Sequence, residues 1–341
     1  MINSGREWDW MGESKTNMKT FIIAEAGANH NRNFDQALKL IDAAKYAGAD
    51  AVKFQTYSSE TLYSKNTPNF AGYKNINKLI KDIELPREWQ KDLKQYCDKL
   101  DIEFMSTPFD EQAVDELVEL GVKRLKIAGF ESTDWRFVDM VASTKLPLII
   151  SIGIGFEHNK LGHILDIVEK YGNDLTLLHC NNAYPTPIQD INLNSINALK
   201  GYRSVKAIGL SDHTESVLTP ALAVTMGATV IEKHFTLSRH LPGPDHPFAL
   251  EPSELRQMID NIRMAEIMLG DVKDSYSPSE LNFQKARRSI VAKTDIKKGD
   301  VLTIDNITTK RPFLEGNISA SDWYLHLGTV SNKDYRQDDF I

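Results

Sequence analysis

Eight short apolar segments in this 341-residue chain each run straight into a polar or charged residue, with helix-length amphipathic stretches between them. They fall at 20–24, 50–54, 102–105, 124–127, 146–150, 175–178, 206–210 and 229–231. Their polar tips are Glu25, Gln55, Ser106 with Thr107, Gly129 with Glu131, Ser151, His179, Ser211-Asp212-His213 and Glu232-Lys233-His234. Strand, polar tip, helix and turn in that order, repeated, predict an α/β chain closed into a (β/α)8 TIM barrel. Active sites in that fold sit at the carboxyl-terminal mouth, so the pattern points to an enzyme.

The chain exceeds the roughly 250 residues typical of such a barrel, which leaves room for a small second domain. We expect an N-terminal extension over 1–18, the barrel over 19–270, a polar linker over 271–287 and a small C-terminal domain over 288–341. Later helices are expected near 135–143, 160–171, 215–226 and 253–269, the last with Glu251 and Glu254 suiting its start. Two long connections stand out. Residues 58–85 read as a lid over the mouth, and 239–252 as a stiff loop built on Pro242-Gly243-Pro244-Asp245-His246.

A formal net charge of -7 argues against nucleic acid or a membrane surface as partner, so an anionic ligand must be drawn by local cations. No apolar run approaches the ~20 residues that span a bilayer. The first eighteen residues, despite Trp8 and Trp10, lack the apolar core of a signal peptide. Two cysteines, Cys97 and Cys180, make no disulfide framework. A cytoplasmic protein is expected.

His213 and His234 each lie just past a predicted strand, and successive barrel strands are neighbours. Two imidazoles converging there suit a divalent metal ion; the alternative is that each caps its strand end. Lys53 and Lys126 lie inside strands, where an ammonium is costly unless paired with an anion. Alternation turns Val52 and Phe54 outward and Lys53 and Gln55 inward, and likewise Lys126 inward. Two inward cations near Ser106, Thr107 and Ser151 suit a phosphate and carboxylate site; the alternative is that the lysines snorkel to solvent. Glu25 at the end of the first strand serves either as acid, base or water-orienting group, or as an ion-pair partner of Lys53. Asp245 is either a sugar ligand or a turn residue.

These residues carry a resemblance. The runs FIIAEAGANH (21–30), GADAVKFQT (48–56), STPF (106–109), LHCNNAYPTP (178–187), GLSDHT (209–214), GATVIEKHFT (227–236), PGPDH (242–246) and KRP (310–312) resemble, in order, those of the sialic acid synthases. That family includes the legionaminic and pseudaminic acid synthases. The resemblance implies a barrel followed by an antifreeze-like (SAF-type) domain. It also implies condensation of phosphoenolpyruvate with an open-chain N-acylated hexose, giving a nine-carbon nonulosonic acid and phosphate by C–O cleavage. It assigns the metal, manganese with magnesium or cobalt as alternatives, to His213 and His234. Catalysis falls to Glu25, Lys53 and Lys126. Phosphoenolpyruvate falls to Lys53, Thr107, Lys126, Ser151, Asn182 and Ser211. The sugar falls to Gln55, Tyr184, Asp245 and Arg311, the last reaching over the partner's barrel in a domain-swapped homodimer.

The chain departs from the family pattern where Gly129 replaces a serine and Ile152 a threonine beside the phosphoenolpyruvate pocket, where Arg32 replaces a glycine, and where Ala249 replaces a serine. Two competing readings stay open. One is a Schiff-base aldolase or lyase using Lys126 or Lys53. The other is a sugar-binding protein of the same fold without turnover.

Overall fold

The computed structural model describes residues 19–69, 74–154, 161–202 and 204–341. The expected extension over 1–18, and Lys160 as a helix start, lie outside the described residues. The chain divides after Gly270 into two compact units.

In the first unit, strands β1 (Phe21–Gly27), β2 (Ala51–Thr56), β3 (Glu103–Pro108), β4 (Leu125–Ile127), β5 (Leu148–Ile152), β6 (Leu175–Cys180), β7 (Val205–Asp212) and β8 (Val230–His234) form one parallel sheet ordered β3-β2-β1-β8-β7-β6-β5-β4. β3 and β4 lie side by side but share no described ladder, so the barrel closes with a seam. The helices are α1 (Phe34–Ala47), α2 (Ile76–Ile83), α3 (Gln90–Lys99), α4 (Glu111–Glu119), α5 (Trp135–Ser143), α6 (Leu161–Tyr171), α7 (Ser195–Ala198), α8 (Thr219–Thr225) and α9 (Pro252–Leu269).

Alternation along each strand makes two cores. Outward residues such as Ile22, Val52, Phe54, Phe104, Leu125, Ile150 and Leu210 join Leu40, Ile41, Leu93, Leu117, Val138, Ile164 and Ile259 of the helices in one large apolar cluster. Inward residues Ile23, Ala51, Met105, Ile149, Leu178 and Val230 form a separate plug in the lower barrel. Above this plug the inward positions turn polar. The charged layer thus sits at the mouth, above an apolar floor.

The helix ends obey local chemistry. Asn33 caps α1 by accepting from the Gln36 amide, and Gly48 ends it at φ 93, a left-handed conformation that suits glycine. Glu251 and Glu254, expected to suit the start of α9, form a capping box there.

Several sequence expectations need correction. The strands run through their polar tips: Glu25, Gln55, Thr107, Ser151 and His234 all sit inside them. Backbone ladders are indifferent to side-chain polarity when the polar groups face a lumen. Residues 58–85 are not wholly irregular, because α2 forms there with Asn75 as cap, and Ile76 and Ile80 pack on Tyr57, Leu62 and Phe109. α8 starts at Thr219 rather than 215, since the Thr214 and Ser216 hydroxyls accept the Ser216 and Leu218 amides and hold the preceding segment in turns.

The second unit pairs β9 (Ser289–Ala292) antiparallel with β10 (Ile307–Lys310) and has its own core of Ile290, Ala292, Ile296, Leu302, Ile307, Tyr335 and Ile341. Val301 and Val330 meet in an isolated bridge.

Candidate active site at the barrel mouth

The sequence places a lysine in each of two strands, and the lumen decides what they meet. Lys53 Nζ lies 2.7 Å from Glu25 Oε2 and donates to Thr107 Oγ1 at 2.7 Å. Lys126 Nζ donates to Ser151 Oγ at 2.8 Å. Between the two ammonium groups stands Glu232, 3.6 Å from Lys53 and 3.5 Å from Lys126, accepting from Ser211 Oγ at 2.9 Å. Gln55 Nε2 donates to Glu25 Oε1 at 2.7 Å. All of these line one cavity together with Asn182, Tyr184, His213 and His234.

Burial sets the charges against one another. It pushes Glu25 up to about 7, with the Lys53 ammonium opposing and the Glu232 carboxylate adding to the rise. Burial also works on Glu232, but Lys126 and Lys53 hold that carboxyl down at about 2. It disfavours both ammonium groups; for Lys53 the adjacent carboxylates outweigh it and the pKa is raised, while for Lys126 burial prevails and the pKa is lowered. The result is one fixed carboxylate, Glu232, and one carboxyl near neutrality, Glu25. A group near neutrality is suited to moving a proton.

The two imidazoles lie beside this cluster with ring centroids 5.4 Å apart. His213 Nδ1 donates to the Asn181 carbonyl at 2.6 Å, which fixes the tautomer and leaves Nε2 with a free lone pair. His234 Nδ1 is buried and has no hydrogen-bond partner, and the Asp245 carboxylate stands 3.9 Å away. Burial lowers the pKa of both, His213 to about 4, so both are neutral at neutral pH. Among the described residues no three His, Cys, Asp or Glu side chains gather into a complete ligand set. Two neutral imidazoles, one with an orphaned buried nitrogen, nevertheless fit a divalent ion whose other positions go to water or substrate oxygens. Tyr184 packs over His213 at 4.1 Å between centroids, and Phe248 lies 5.2 Å from His234. This aromatic wall bounds the far side of the imidazole pair. Asp245 lies against Gly27, where an added Cβ would come within 2.8 Å of Oδ2. Its carboxyl is raised to about 6 by burial, against the Ala28 backbone.

The structure gathers Glu25, Lys53, Gln55, Thr107, Lys126, Ser151, Asn182, Tyr184, Ser211, His213 and His234 on one cavity, with Asp245 beside His234. Arg311 lies in the second unit, just beyond β10. Ser106 does not line this cavity. It faces the helices and shares a 2.7 Å hydrogen bond with Thr56, which in turn bonds Gln90. His179 also turns outward, to the Ile191 carbonyl. Ile152 sits in the outer apolar core, so the missing threonine there removes no hydroxyl from the lumen. At Gly129 an added Cβ would lie 2.8 Å from Asn182 Nδ2, and at Gly153 it would lie 2.2 Å from Asn182 Oδ1. The two glycines form a slot for that amide. Arg32 has a structural use of its own, since it bonds the Lys81 carbonyl at 3.0 Å and reaches Glu84 at the end of α2.

Sequence reasoning missed Glu232. The signal was present in the alternation Val230, Glu232, His234, which sets the glutamate on the same face as the histidine.

Residues 40–274 match the NeuB family and residues 287–341 match the SAF domain. The chain is 42% identical over 325 residues to an N,N'-diacetyllegionaminic acid synthase of Legionella pneumophila, spanning 91% of this chain and 90% of that protein. It is 38% identical over 339 residues to a pseudaminic acid synthase of Campylobacter jejuni, spanning 97% and 98%. A solved structure of the N-acetylneuraminic acid (sialic acid) synthetase of Leptospira borgpetersenii, in complex with citrate, matches with a TM-score of 0.72 at 35% identity, covering 78% of this chain and 90% of that one.

Proposed function

The chain belongs to the NeuB family of sialic acid synthases, and from that premise we propose that it condenses phosphoenolpyruvate with an open-chain N-acylated hexose. The sugar is N-acetylmannosamine or a 2,4-diacetamido-trideoxyhexose, and the products are a nonulosonic acid and phosphate. One observation carries the reading: two buried ammonium groups flank Glu232 in the same cavity as a pair of neutral imidazoles.

Lys53 and Lys126, with Thr107, Ser151, Asn182 and Ser211, hold the phosphate and carboxylate of phosphoenolpyruvate. The enol carbon attacks the sugar aldehyde, and the resulting oxocarbenium-like carbon takes up water. Glu25 orients that water and accepts its proton, a task suited to a carboxyl poised near 7. Collapse of the tetrahedral intermediate breaks the C–O bond and frees phosphate. Gln55, Tyr184 and Asp245 hold the sugar. A divalent ion on His213 and His234, manganese before magnesium or cobalt, would polarise the aldehyde when bound. A domain-swapped homodimer would bring Arg311 to the partner's site. Cys97 and Cys180, both free and buried, fit a reducing cytoplasm.

The test is phosphate release from phosphoenolpyruvate with manganese and each candidate sugar, with product mass as a second readout. Release that depends on one sugar supports the reading. Absence of sugar-dependent release refutes it. A second reading, a Schiff-base lyase, is favoured by the lowered pKa of Lys126 alone. Borohydride trapping of a pyruvate adduct on Lys126 would select it instead.

A further inference from the structure

Behind the imidazoles, on the helix side of the sheet, lies an ion pair that touches no part of the cavity. Alternation puts Ser211, His213, Glu232 and His234 toward the lumen and therefore Asp212 and Lys233 away from it. Both are sealed from solvent, at 0% and 1% exposure. Lys233 Nζ lies 2.7 Å from Asp212 Oδ2, donates to the Thr214 carbonyl and reaches Thr214 Oγ1 at 3.3 Å. Asp212 in turn accepts the Thr214 amide at 2.9 Å and the Thr214 hydroxyl at 3.1 Å. Every proton of the ammonium has an acceptor.

Its place in the ladder gives it meaning. The β7–β8 register ends on the pair Asp212↔Lys233, one residue short of each histidine. His213 lies past the last residue of β7, bracketed by Asp212 and Thr214, which the network clamps to Lys233 of the neighbouring strand. A buried ion pair contributes little stability beyond that of an apolar pair of equal volume, so stability gives no reason for charge here. Geometry does. We propose that Asp212 and Lys233 are positioning residues that lock the ends of β7 and β8 from outside and so fix the separation of His213 and His234 inside. The inference rests on the metal reading of those two histidines.

The experiment measures manganese affinity of the full chain without substrate, by calorimetry and by the electron paramagnetic resonance signal of free and bound ion. The double variant Asp212→Leu/Lys233→Met removes both charges together and leaves neither unpaired. It is expected to melt close to the parent yet bind manganese about 10- to 100-fold more weakly, the usual effect of losing outer support for metal ligands. Equal affinity in a folded double variant overturns the inference while leaving the metal reading intact. If the double variant does not fold, Thr214→Val carries the test. It keeps both charges and removes the hydroxyl they share, and it should weaken manganese binding several-fold; unchanged binding overturns the inference. A parent chain that binds no manganese defeats the metal reading and this inference with it.

Discussion

Glu232 is the carboxylate on which the charge balance of the mouth turns, and Glu232→Gln removes its charge while keeping its shape. Its oxygens lie 3.6 and 3.5 Å from two buried ammonium groups. At an effective dielectric constant near 20, each contact is worth ~5 kcal/mol before burial is subtracted. The net is smaller. A carboxyl held at about 2 instead of its ordinary 4.5 corresponds to ~3 kcal/mol, within the ~3–5 kcal/mol lost when one partner of a buried pair is deleted. The sign comes from the depressed value: the stabilisation is complete above pH 4.5 and fades as the pH falls through about 2. At pH 7 the variant should therefore be ~3 kcal/mol less stable, with the two lysines left sharing Glu25. Inorganic phosphate should then restore most of the loss, because an anion at one hundred times its dissociation constant returns ~2.7 kcal/mol. Urea unfolding in phosphate-free buffer and in phosphate, at matched ionic strength, measures both effects. A loss under ~1 kcal/mol, or a phosphate response no larger than the parent's, would refute the reading that Glu232 balances the charge of the two buried ammonium groups.

Other outcomes rest on single observations. Burial holds His30, His213 and His246 at about 4 and His234 well below its ordinary value, whereas it raises Glu25 to about 7 and Asp245 to about 6. The histidine contribution is present above pH 6.5 and lost as the pH falls toward 4; the two acids act oppositely but are fewer, so stability should drop by on the order of 2–3 kcal/mol per pH unit below 6.5. A flat urea-unfolding profile between pH 7.5 and 5.5 would contradict this. Gly129→Ser would force the Asn182 amide from its slot, since the new Cβ falls 2.8 Å from Nδ2. The KM for phosphoenolpyruvate should rise by about 5- to 10-fold, the worth of one hydrogen bond; an unchanged or lower KM would show the amide has no part in binding. Gly48→Ala at φ 93 should cost ~1–2 kcal/mol in unfolding free energy with no change in kcat, read by denaturation and steady-state kinetics.

What the sequence revealed and hid has a physical pattern. Period-2 alternation was enough to turn Lys53, Gln55 and Lys126 into the lumen, because a strand has only two faces. The same rule, applied to Ser106 and Ile152, would have sent them outward, and both face the helix layer. Glu232, visible as a polar strand tip, is not assignable to the ammonium pair from sequence because Lys53 and Lys126 lie on strands distant in sequence and meet it only when the barrel curves round. α2 was legible in Ile76, Leu79, Ile80 and Ile83, spaced for a helix face, but it is short and its apolar partners Tyr57 and Phe109 come from other segments. Hydroxyl competition for backbone amides, which delays α8 to Thr219, is visible only once the turn has formed.

The seam between β3 and β4 divides the hydroxyl and ammonium groups of the cavity into two lips. Lys53 and Thr107 belong to one, Lys126 and Ser151 to the other. If the proposed phosphoenolpyruvate site is right, a dianion between them would bolt together through charge what the backbone leaves unlaced, and the guest would complete the hoop of its own vessel. Amides along both lips should then exchange with solvent more slowly when the anion is seated, so that filling the cavity tightens its walls.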